Sequence, residues 1–86
     1  MRVEWTEQCA DRLADIYVGL DLNGQRLIAQ AVERINAALA RTPWDLGESR
    51  ASRTRRAWNS GPVSVVFDIV SDDLVIVQHV ATKRPK

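Results

Sequence analysis

A single cysteine, Cys9, has no partner for an intramolecular disulfide. With only one histidine beside it, the chain also lacks the ligands of a structural zinc site. No apolar run approaches the roughly 18 residues of a membrane span, and the residues after Trp5 are polar and charged instead of a signal-peptide core; a soluble, cytoplasmic protein is expected. An excess of one charge is missing too, since 12 Lys and Arg stand against 11 Asp and Glu. Eighty-six residues leave no room for a second core. A chain this short buries only about 60–65% of the surface its unfolded form exposes, so a partner that contributes stability is expected.

The charge present is unevenly placed. Residues 1–49 carry five arginines against eight acids, whereas residues 50–86 carry seven bases against three acids. Such a split implies one positive face, suited to phosphate or to an acidic protein segment.

Arg2 to Trp5 alternates polar and apolar, the period of a short edge strand. Thr6 suits an N-cap, and Cys9, Leu13, Ile16, Tyr17 and Leu20 then make one stripe of an amphipathic helix over residues 7–20. After turn residues at 21–24, Leu27, Ile28, Ala31, Val32, Ile35, Ala38 and Leu39 hold the 3.6 period until Thr42 and Pro43 stop it. Two helices so closely joined form an antiparallel hairpin. Residues 44–50 read as a polar loop, followed by strands at 54–58, 63–70 and 74–80 with turns at 59–62 and 71–73. The fold class is therefore α+β: a short N-terminal strand and a helical hairpin packed on an antiparallel β-meander. Residues 1–80 form the single domain and 81–86 a basic tail.

In the middle strand Val63, Val65, Phe67 and Ile69 make the core face. A two-residue loop that pairs Ser71 with Leu74 places His79 opposite Val66 and Val77 opposite Asp68; pairing Trp58 with Val63 across the 59–62 turn places Arg55 beside Val66 and Arg53 beside Asp68. Arg53, Arg55, Asp68 and His79 then converge on the open face. The same registers point Gln78 and Arg56 toward the helices, where each needs an edge position or a hydrogen bond. A one-residue slip would turn a whole strand over. Cys9 reads as a small core residue, Trp5 and Trp58 as caps of the core, and Trp44 as a plug over the hairpin or a stacking platform.

Val3-Glu4-Trp5-Thr6 opening into a helix with Ala10, Leu13 and Tyr17 is followed by Ala31-Val32-Glu33-Arg34-Ile35-Asn36 with Leu39 and Pro43. Gly47-Glu48-Ser49-Arg50, Arg55-Arg56, Pro62-Val63-Ser64-Val65-Val66-Phe67 and Val75-Ile76-Val77 complete the series. In order and spacing, over nearly the whole chain, this resembles the RelE/ParE superfamily of type II toxin–antitoxin toxins, the plasmid-stabilisation type. The resemblance implies an antitoxin that wraps the toxin with an acidic or amphipathic segment, no metal and no cofactor, and one of two activities. One is ribosome-dependent mRNA cleavage that inhibits translation; the other is inhibition of gyrase without nuclease chemistry. A toxin-fold binding protein with degraded chemistry is a third possibility.

For cleavage, a ribose 2′-hydroxyl must lose its proton and the developing phosphorane charge must meet cations. The resemblance gives these roles to Arg53, Arg55 and His79, histidine being the side chain that ordinarily titrates near neutrality. RNA or partner binding falls to Arg50, Arg56, Lys83 and Arg84. The nuclease is the favoured expectation, with ribosome and mRNA as partners. The chain departs from relatives that cut mRNA in carrying Asp68 where they have a middle-strand cation, and in having no tyrosine beyond His79. For the antitoxin, the two helices and the basic strand offer a groove, with its carboxylates meeting Arg50, Arg53 and Arg56.

Overall fold

Thr6 separates the first two elements. Arg2–Trp5 forms β1, and Thr6 Oγ1 then accepts from the Cys9 N–H at 3.1 Å, capping α1 (Glu7–Val18). Asp21 repeats the device, its Oδ1 accepting from the Gly24 N–H at 2.7 Å. This cap starts α2 (Leu22–Arg41) well before Leu27, where the apolar period begins, because a cap sets a helix start without needing an apolar face. The structure is a computed structural model; it describes residues 1–46, 48–50 and 52–82, with the backbone alone at 48–50, 52 and 53.

Pro43 is buried and opens a single 3₁₀ turn, Pro43–Asp45. A short strand β2 (Glu48–Arg50) follows, so the segment read as a loop contains two elements. Its polar sequence carries no strand pattern; the pairing comes from the backbone edge of β3 (Ser52–Ser60), which runs longer than the expected 54–58. A two-residue turn, Gly61 and Pro62, leads into β4 (Val63–Ser71), and β5 (Leu74–Thr82) closes the chain, taking in Ala81 and Thr82. Gly61 sits at φ 58°, in the left-handed region glycine adopts without strain. Beside it Arg34 of α2 donates through Nε to Ser60 Oγ at 3.2 Å, fastening helix to turn.

The five strands lie in the order β1-β5-β4-β3-β2. β1 pairs parallel with β5 and the remaining neighbours are antiparallel, so the expected meander is extended into a mixed sheet at both edges. Ile28, Ala31, Ile35 and Leu39 of α2 are buried with Val63, Val65, Phe67 and Ile69 of β4 and Val75, Val77 and Val80 of β5. Only Cys9 of α1 is fully buried, as expected of it. Desolvation raises its thiol pKa, against a smaller lowering by the Arg12 charge. Trp5 packs at the core margin and donates its indole N–H to Asn36 Oδ1 at 2.8 Å; Trp58 also packs there, while Trp44 is half exposed.

Two β-bulges adjust the last hairpin. Val66 pairs with His79 and Phe67 with Val77, leaving Gln78 as an extra residue; Ile69 pairs with Val75 and Ser71 with Leu74, leaving Val70 extra. The pairing of Val66 with His79 matches expectation, but Asp68 faces Ile76, not Val77. The bulge resolves the conflict that a regular strand creates. Val77 and Val80 are both buried, while Gln78 is half-buried and His79 exposed between them.

Candidate functional site

β3 and β4 meet with Arg55 opposite Asp68, Ala57 opposite Val66 and Asn59 opposite Ser64. Arg55 therefore sits one pair further along than expected, on the same face. The two-residue turn shifts the register by a whole pleat, and a two-residue shift preserves facing. Asp68, expected to pair with Arg53, instead accepts from Arg55 Nε and Nη2, each at 2.9 Å. This fork is a bidentate charge-assisted pair. It holds the Asp68 carboxyl below its ordinary range, chiefly through the Arg55 hydrogen bonds; partial desolvation opposes, and the Arg55 charge, a Gln78 hydrogen bond and the His79 charge add to the lowering. The Arg55 guanidinium is in turn pushed up, first by its hydrogen bonds to Asp68.

His79 lies on this open face, exposed and not tucked beneath the helices. It shares the face with Arg55, but β4 stands between them, roughly 10 Å across the sheet at two strand spacings. The open face thus brings Arg55, Asp68, Gln78 and His79 into one neighbourhood, with the cation already matched to a carboxylate.

Arg56 takes the other side, as its strand alternation requires. It is half-buried, donates through Nη1 to the Leu46 carbonyl at 3.4 Å, and its Nε is buried without a partner among the described residues. It therefore does not stand on the face that Arg55 and His79 share. Arg50 and Arg53 lie on β2 and β3, where only the backbone is described. Lys83 and Arg84 lie outside the described residues.

Two further features lie on the helical side of the molecule. Between α1 and α2 runs an apolar groove of ≈ 670 Å³, lined by Trp5, Leu13, Tyr17, Val18, Ile28 and Val32 among others. Its walls are the helices and β1, not the basic strand β3, which lies beyond β4 and β5 in the sheet order. Glu33 is the charged residue on its lining, so the groove is not the arginine-rimmed one expected. The second feature is Arg12 of α1, whose Nε donates to the Val80 carbonyl at 2.9 Å. By sequence Arg12 falls outside the apolar stripe of the first helix, made by Cys9, Leu13, Ile16, Tyr17 and Leu20. The available signal was its spacing from Gln8, since residues four apart share a helix face.

Among the described residues no helix is long and apolar enough to cross a membrane. No protein-family model matches the chain, and no curated protein matches it. Among solved structures, one described as the chromosomal ParDE TA system from P. aeruginosa is similar at a TM-score of 0.70 with 19% sequence identity. The alignment covers 98% of this chain and 97% of that one. The chain therefore has the RelE/ParE-like α+β fold over its whole described length.

Proposed function

We propose that the chain is the toxin of a type II toxin–antitoxin module, and that it inhibits its target by docking on it, as a ParE-like gyrase inhibitor, not by cutting RNA. The observation that carries this reading is the Arg55–Asp68 fork. A phosphorane needs uncompensated positive charge at the point where its own charge develops. Arg55, the open-face arginine whose side chain is described, spends its Nε and Nη2 donors on a carboxylate. Around it Ala57, Val66, Ser64 and Asn59 make a small, largely neutral surface suited to protein contact.

The α1–α2 groove supports the antitoxin part of the reading. Tyr17 and Val18 on its lining are 41% and 78% exposed, apolar area that an amphipathic helix or extended segment would cover. The exposed His79, on the same face as Arg55, favours the nuclease as the second reading.

Purified protein assayed side by side on gyrase and on ribosomes programmed with a message separates the two. The docking reading expects trapped gyrase cleavage complexes and an intact message. A message cut by the wild type and spared by His79→Ala, with gyrase supercoiling unaffected, overturns it. Absence of growth arrest on expression would remove the toxin reading altogether.

A further inference from the structure

β1 ends at Trp5, so among the described residues no strand lies on the outer side of β5 beyond Val77. There α1 and the free length of β5 enclose a polar hollow of ≈ 460 Å³, lined by Gln8, Cys9, Arg12, Gln78, His79 and Val80. No carboxylate is among these residues; Glu7, Asp11 and Asp15 of α1 are not part of the lining. Arg12 is fixed by its Nε–H bond to the Val80 carbonyl, and no other hydrogen bond engages it among the described residues. Its two terminal nitrogens are thus held as donors beside the hollow. The Gln78 bulge keeps Gln78 and His79 together on this lining. Asp68, the acid that faces them both, is matched by Arg55.

His79 and Val80 also line a second depression, of ≈ 310 Å³, on the open face. Ala57, Val66 and Ala81 give it an apolar floor, while Asn59 and Ser64 supply an amide and a hydroxyl. Donors for a compact anion therefore adjoin an apolar bed with polar edges, and the imidazole stands at the junction. The combined size falls in the range of small-ligand sites.

We infer that the two hollows together bind a nucleoside monophosphate, its phosphate held by Arg12 and His79 and its nucleoside laid over Ala57, Val66 and Ala81. The assignment is independent of the docking function above and stands or falls separately from it. A guanidinium forks onto phosphate oxygens, and the imidazole adds a ring N–H donor.

The test is an NMR titration of the full chain with AMP, UMP, adenosine and inorganic phosphate. Saturable shifts at the His79 ring are expected with both nucleotides, tighter by about tenfold or more than with adenosine, and tighter than with phosphate alone. Arg12→Gln should weaken nucleotide binding about tenfold. Because that change also removes the Val80 anchor, Gln8→Glu serves as the second variant. It keeps the side-chain length, places a carboxylate in the hollow from an exposed position in the first turn of α1, and should cost a comparable factor at an unchanged melting temperature. Asn59→Ala should weaken nucleotides and leave phosphate unaffected. The inference is overturned if adenosine binds as tightly as AMP, if Gln8→Glu binds AMP like the wild type, or if only an oligonucleotide binds.

Discussion

Trimming Val18 and trimming Ile35 should have opposite signatures, and the contrast tests whether the α1–α2 groove is a docking surface. Ile35 is fully buried in the cluster between α2 and the sheet. Ile35→Ala leaves a cavity there and should cost about 2–5 kcal/mol. A domain of 86 residues has a total of only about 4–13 kcal/mol, so the melting temperature should fall on the order of 10–30 °C. Val18 is 78% exposed. Its two lost methyl groups are worth about 0.8 kcal/mol each when fully buried, so only about 0.4 kcal/mol is forfeited in the free chain. Alanine returns roughly that much in helix propensity, and the net change should be close to zero. In the complex, where a partner segment covers the groove, both methyl groups become buried and the variant should bind about tenfold more weakly. Thermal unfolding by circular dichroism, with calorimetric titration of the proposed antitoxin, reads both quantities. A Val18→Ala chain that melts as early as Ile35→Ala would refute the reasoning, and so would one that binds the partner like the wild type.

Three further outcomes are expected. Asp68 has a folded-state pKa below its unfolded one, so its contribution is present above the unfolded value and lost as pH falls through the folded value; urea unfolding of Asp68→Asn should therefore be less acid-sensitive than wild type below about pH 4, and parallel pH profiles would count against the fork. Deleting Gln78 should leave the fold intact, because Val77, His79 and Val80 then alternate in, out and in without a bulge opposite the same β4 partners; near-ultraviolet dichroism should be retained, and an unfolded product contradicts the register. Gly61→Ala should cost about 1–2 kcal/mol in denaturant unfolding, through its φ of 58°, and Gly61→Asn less; equal stability of all three would refute a left-handed turn.

The sequence carried the elements whose side chains repeat. α2 and β4 were legible because Ala31, Ile35 and Leu39, or Val63, Val65 and Phe67, recur at the period of their backbone. The N-terminal extension of α2 was not, since it depends on the Asp21 cap and its first residue, Leu22, is 83% exposed. β2 was invisible because a three-residue polar strand is recruited by its neighbour. At the site, facing was readable and spacing was not. Arg55, Asp68 and His79 share a face as alternation dictates, yet which arginine meets Asp68 hinged on a two-residue turn. The bulge at Gln78 left only an indirect trace, a polar residue aimed at the core by a regular strand.

The parallel pairing of β1 with β5 joins Arg2 to Leu74, almost the length of the chain apart. During synthesis the first ribbon emerges long before its mate and must wait for it, so the sheet's outer border is the last part to be finished. A nascent polypeptide lacking that final hairpin has no strand to pair with β1 and no carbonyl to receive Arg12, and the helices would have little to rest on. Competence would then arrive all at once, only when β5 has been made and has paired on both of its sides.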